Sequence, residues 1–157
     1  MLARCTLLLL LFTGSGCHNT LTAAPPPTAP PAVDFNTPTG TITVSVDLAQ
    51  TPEQRRGGLM HRKALPQNHG MAFIFPTEAV QTFWMKDTPL FLDMVFINSQ
   101  QKIVGIIHNA EPGTLNPREI KAPSRYVVEV QGGFCKRYGI QTGGVVVFRN
   151  FPKKVQH

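Results

Sequence analysis

From Thr41 onward the chain breaks into short apolar or alternating runs, each ended by turn residues, and that pattern limits it to a fold built on sheets. Thr41-Ile42-Thr43-Val44-Ser45-Val46-Asp47 alternates with period two, the mark of a half-buried strand. Further strands are expected over 71–75, 81–87, 91–98, 102–107, 125–131 and 145–149, with Ser99-Gln100-Gln101 as a hairpin turn. Two short helices interrupt them. Thr51-Pro52-Glu53-Gln54 has a Thr cap, proline at the first helical position and Gln three after the cap, and Gly57-Gly58 halts it. One helical turn over 134–138 is closed by Gly139. No internal repeat is visible. The expected fold is mainly β: a single jelly-roll-like sandwich or a partly closed barrel with one or two short helices.

The amino-terminal part cannot join that core. Arg4 precedes the apolar run 5–12, and Gly14-Ser15-Gly16 lead into Cys17. A basic start, an apolar stretch of about 7–15 residues and small residues before a cleavage point make a secretory signal. Cys17 stands where the lipobox cysteine of bacterial lipoproteins is lipidated, although Gly14 occupies the usual Leu position. Ordinary signal cleavage is the alternative. Prolines then recur at 25, 26, 27, 30, 31 and 38, and from His18 to Thr39 Asp34 is the only charge. Such a composition favours extended polyproline II, which would carry a domain up to roughly 60 Å from its anchor at about 3.1 Å per residue. The expected organisation is a signal over 1–17, a tether over 18–39, a β-domain over 40–151 and a basic tail over 152–157. The expected location is therefore outside the cytoplasm, periplasmic or on the outer surface, with the membrane reached through a lipid anchor at Cys17.

Signal removal and lipidation would consume Cys5 and Cys17 and leave Cys135 alone, so no disulfide within the chain is available. A domain of about 110 residues buries roughly two-thirds of its unfolded surface and must hold itself together by its core. The net charge of +6 becomes +5 without Arg4, and its denser spots are scattered: Arg55-Arg56, Arg62-Lys63, Lys136-Arg137 and Lys153-Lys154. Nucleic acid calls for a basic stripe interleaved with aromatics, which is missing. Loose attraction to anionic headgroups or acidic polysaccharide fits better.

Four phrases stand out: Gly58-Leu59-Met60-His61-Arg62, Gly70-Met71-Ala72-Phe73-Ile74-Phe75, Phe83-Trp84-Met85-Lys86-Asp87-Thr88 and Leu92-Asp93-Met94-Val95-Phe96-Ile97. With Tyr126-Val127-Val128-Glu129-Val130 and Gly139-Ile140, their order and spacing resemble the bacterial and archaeal domain-of-unknown-function family numbered 192, over about residues 41–150. Asp87 stands where that family commonly has Asn, and Gly144 where an acidic residue often follows glycine. The resemblance implies a jelly-roll-like β-domain and brings no activity with it.

Asp93 and Glu129 each interrupt an apolar strand, so each is expected at or under the core surface. A buried carboxylate needs a partner, and Arg62, Arg55 and Lys86 are the natural ones. The structural reading is a polar cluster pinning the helix to the sheet. The catalytic reading is a small hydrolase using Asp93 and Glu129. No Gly-x-Ser-x-Gly elbow, His-Glu-x-x-His or phosphate-cradling loop supports an enzyme. A thiol–base pair of Cys135 with His61 or His108 is weaker than a plain core role for that cysteine. Met60, His61, His69, Met71 and Met85 set soft thioethers beside imidazoles, a ligand set that would select Cu(I). The leading expectation is a binding or accessory module of the envelope, with no cofactor, acting on an envelope ligand or protein. Trp84, the only tryptophan, stands beside Lys86, Asp87 and Thr88; with Arg62 these form the expected binding residues.

Overall fold

A computed structural model describes residues 29–152. Nine strands and two short helices follow in order: β1 (Ala32–Thr37), β2 (Gly40–Ala49), α1 (Pro52–Gly57), β3 (His69–Ala79), β4 (Thr82–Phe83), β5 (Leu92–Ile97), β6 (Ile103–Ala110), β7 (Arg118–Glu119), β8 (Ser124–Gln131), α2 (Phe134–Tyr138) and β9 (Val146–Arg149). Seven of them form one sheet in the order β6-β5-β8-β3-β2-β1-β9, and β4 pairs with β7 apart from it. Every pairing is antiparallel except β2 with β3, where Ser45 lies opposite His69 and Asp47 opposite Met71. Parallel neighbours need a crossover rather than a hairpin. The segment carrying α1 supplies it.

α1 forms where its residues dictate. The Thr51 hydroxyl accepts the Gln54 N–H, and the Gln54 side chain accepts the Thr51 N–H in return. Gly58 ends it at φ 47°, where a Cβ would lie 3.3 Å from the Phe73 ring. That close seat lays the helix end directly on β3.

The two edges of the sheet meet. Lys102 bridges Val145, Ile103 N–H donates to Gly144 O at 2.8 Å, and Val146 N–H donates to Gln101 O at 2.9 Å. Of the two expected β forms the chain takes the second: a curled, partly closed barrel. Its inner core draws on all seven strands through Val33, Phe35, Val44, Val46, Ala72, Val95, Ile97, Ile103, Val128, Val130 and Val146, with Phe134 of α2 closing it. The outer face is buried as well. Met71, Phe73, Met94, Phe96 and Val127 pack there against Leu59, Leu65 and Met85 from the covering loops. Burial on both faces explains why β5 is buried at all six positions and reads as a continuous apolar run broken only by Asp93. Each such large side chain contributes about 1.5–3 kcal/mol.

Two expectations require correction. The folded part begins inside the proposed tether, because β1 pairs with both β2 and β9 and buries Val33 and Phe35. Prolines at 30 and 31 end the irregular segment just before it; proline density alone drew the boundary too late. The strand expected over 81–87 shrinks to Thr82–Phe83. Met85 N–H instead donates to Thr114 O at 3.0 Å and Met85 O accepts Gly113 N–H at 3.0 Å, so a loop rather than a ladder takes its hydrogen bonds. The expected signal, the first half of the tether and the tail beyond 152 lie outside the described residues.

Candidate functional site

Phe83 and Met85 turn inward and Trp84 turns out, leaving the indole 48% exposed. Beneath it lies a cavity of about 410 Å³ on the outer face of the sheet. Its walls are Leu59 and Met60 from the end of α1, Phe73 and Phe75 from β3, and Phe83 and Met85 from the covering loop. Phe83 stands edge-on to three rings: Phe73 at 5.0 Å, Phe96 at 6.0 Å and Phe75 at 6.2 Å between centroids. Trp84 and Leu115, the latter 65% exposed, stand at the mouth with Pro117. Arg55 and Arg56 of α1 line one end. The Arg55 guanidinium lies 5.2 Å over the Phe75 ring, and its Nη1 donates to Gln50 O and to Ile74 O, the latter at 3.1 Å.

Glu129 reaches this cavity from β8, where it lies between Met71 of β3 and Met94 of β5. It is 4% exposed, and among the described residues its carboxyl has neither ion pair nor hydrogen bond. Burial alone pushes its pKa up to about 8, so the carboxyl is protonated at neutral pH. Gly70 lets β3 and β8 approach closely here: a Cβ there would sit 2.4 Å from the main-chain carbonyl oxygen of Glu129.

Asp93 occupies the other face. Asp93 is opposite Val130 while Met94 is opposite Glu129, so strand alternation turns the two carboxyls away from each other. The pairing that a hydrolase would need is therefore not made. Asp93 is fully buried under α2 and accepts the N–H of Asn109 at 2.8 Å, of Gly133 at 3.1 Å and of Cys135 at 2.8 Å. Backbone donors satisfy it rather than Arg62, Arg55 or Lys86, and it pins α2 rather than α1. His108 Nδ1 lies 3.9 Å from Asp93 Oδ2 and shares a small cavity of about 310 Å³ with Cys135. Burial, and then Asp93, push the Cys135 thiol far above its ordinary range, which is the reverse of an activated nucleophile.

The other expected site residues scatter. Thr88 is buried and lines the cavity with Trp84. Lys86 and Asp87, turned aside by the left-handed backbone of Asp87 (φ 51°), line a shallow depression with His61 and Lys63. Arg62 Nη2 is bonded to Asp47 Oδ2 at 2.5 Å, and His69 Nε2 lies 3.5 Å from Asp47 Oδ1. Of the sulfur and imidazole set, Met60 and Met85 share the cavity, Met71 is buried in the outer core, and both imidazoles face elsewhere. Among the described residues no three His, Cys, Asp or Glu side chains gather as metal ligands. Phe73, Phe75, Phe83, Arg56 and Leu115 were not expected at the site. The shared face of Phe73 and Phe75 was readable from their spacing; Leu115 carried no signal.

A single curled sheet with its core inside, and a second apolar layer roofed by loops outside, defines a small, partly closed β-barrel domain. The chain belongs to the DUF192 family, an uncharacterized ACR, which it matches over residues 35–148. A crystal structure from Sinorhizobium meliloti, described as a "putative transcription regulator", is similar at 37% identity and a TM-score of 0.73, covering 77% of this chain and 95% of that one. A protein of unknown function from Novosphingobium aromaticivorans is similar at 31% identity and a TM-score of 0.72, covering 74% and 83%. No curated protein matches the chain.

Proposed function

We propose that this chain is a binding module of the cell envelope which holds a small, largely apolar molecule in the cavity beneath Trp84. The observation that carries the reading is the exposed pair Trp84 and Leu115 at the mouth of a cavity walled by Phe73, Phe75, Phe83 and Met85. Ligand sites are commonly concave, mostly apolar and of this size, with few polar groups inside. The carboxyls of Asp93 and Glu129 lie on opposite faces and the Cys135 thiol is held protonated, so binding has more support than turnover. The envelope part of the proposal rests on the signal ending at Cys17 and the prolines after it. Nucleic-acid binding, which the name of the Sinorhizobium relative suggests, has less support: Arg62 and Arg149 are spent on Asp47 and Asp34, and the basic pairs in the sequence are scattered rather than set in one stripe.

Anilinonaphthalene sulfonate is a suitable probe, with Trp84 as the only tryptophan to transfer energy to it. The full chain should bind the dye with transfer from Trp84, and Leu115→Glu at the exposed mouth should weaken binding about ten-fold, or about 1.4 kcal/mol. A dye that ignores the protein, or binds both forms alike, would overturn the cavity as the site.

A further inference from the structure

The ionisable groups lining the cavity are Arg55 and Arg56, both from α1, and Glu129 from β8. With Glu129 neutral, the cavity carries two positive charges and no negative one at pH 7. Its ionisable groups therefore sit apart and differ in kind: the Arg55 guanidinium over Phe75, with Arg56 next to it on α1, and an unpartnered acid proton between Met71 and Met94. Their separation follows from the register. Glu129 is opposite Met71 and Phe75 lies four residues further along β3, so at about 3.3 Å per residue the backbone positions beside the two ends lie roughly 13 Å apart along the strand. Between them the walls are mostly apolar, and the hydroxyls of Thr82 and Thr88 are spent on Glu119 and on Lys86 O.

We propose that the cavity takes an elongated amphiphilic acid, its anionic group at Arg55 and Arg56, its apolar body against Phe73, Phe83 and Met85, and a hydrogen-bond acceptor at its far end facing Glu129. This rests on the cavity being a binding site. An extended alkyl chain of medium length matches that distance. Two guanidinium groups prefer a carboxylate or phosphate to an amine. Glu129, 4% exposed and unpaired, has its proton to donate, and a hydroxyl or carbonyl on the ligand would supply the missing acceptor.

The test displaces anilinonaphthalene sulfonate from the full chain with ω-hydroxydecanoate, decanoate, decanol and decylamine, while Trp84 emission reports entry. ω-Hydroxydecanoate should bind tightest, with decanol about ten-fold weaker and decylamine weaker still. Arg56→Gln should erase the advantage of acid over alcohol. Between pH 7 and 9 wild type should lose about ten-fold in affinity for ω-hydroxydecanoate as Glu129 ionises, and Glu129→Gln, which keeps a neutral donor, should lose almost none. Decylamine binding as tightly as the acid, or an advantage that survives in Arg56→Gln, would overturn the assignment. If the dye binds in the cavity and none of the four displaces it, the ligand class fails while the cavity stands. If the dye does not bind at all, the underlying reading fails first.

Discussion

The main-chain N–H of Cys135 donates to Asp93 Oδ2 at 2.8 Å, so the start of α2 hangs from a carboxylate buried in strand β5. Gly133, the N-cap of that helix, has no side chain to cap it and donates its own N–H to Asp93 Oδ1 at 3.1 Å. A residue forty positions earlier thus does the work of a local cap.

Asp93→Ala removes an acceptor shared by three N–H groups from two separate segments. Leaving buried donors unpaired should lower stability by about 3 kcal/mol or more. Urea denaturation of both forms measures it. A loss under about 1 kcal/mol would mean that water replaces the carboxylate at no great cost.

The Cys135 thiol should be inert in the folded protein. It is buried, and burial together with Asp93 keeps it protonated. Iodoacetamide should leave Cys135 unmodified under native conditions and alkylate it in denaturant. Rapid native labelling would show that α2 opens far more easily than its hydrogen bonds to Asp93 imply.

Glu129 should make stability depend on pH in an unusual direction. Its folded pKa of about 8 lies above the ordinary carboxylate value, so between roughly pH 4.5 and 8 the unfolded chain releases a proton that the folded chain keeps. Stability from this group is complete below that window and falls as pH rises through it, by up to about 1.4 kcal/mol per pH unit. Glu129→Gln cannot ionise. The difference in thermal midpoint between variant and wild type should grow in the variant's favour from pH 5 to 8 and level off above. A constant difference would place the carboxyl in contact with water.

If Cys17 carries lipid, Cys17→Ser should move the protein from the membrane fraction to the soluble one. Stable anchoring takes two chains or more, as one acyl chain binds only marginally. Identical fractionation of both forms as soluble protein would remove the anchor from the proposal.

Local signals announced local structure. The capping box of α1, the glycine after α2 and the alternation of β2 all act within a few residues, and each element is present. The polar breaks at Asp93 and Glu129 revealed burial for the same reason: a charge inside an apolar run has few other places to go. Which face each occupies depends on the register of β5 against β8, and that is set by pairings from across the chain. Their partners were equally hidden. Arginine and lysine were the expected counterparts, whereas Asp93 found backbone N–H groups, which every residue has and no sequence pattern displays. The cavity was least legible. It exists because α1, the loop around Trp84 and Leu115 converge on β3, and none of these segments shows that in isolation.

The junction of Lys102 with Val145 has a bearing on how such molecules behave in company. An open sheet offers unpaired N–H and C=O groups to any passing strand, which is how exchange of elements and fibril growth begin. Here the two outermost strands occupy one another at that point, and Ile120 covers Gly105 on β6 so closely that a Cβ there would lie 2.6 Å from its Cδ1. At that stretch a neighbouring chain would meet a closed border rather than a template. Loosening the junction, for instance with proline at Val146, whose N–H it needs, would reopen that stretch of edge to a neighbour's strand.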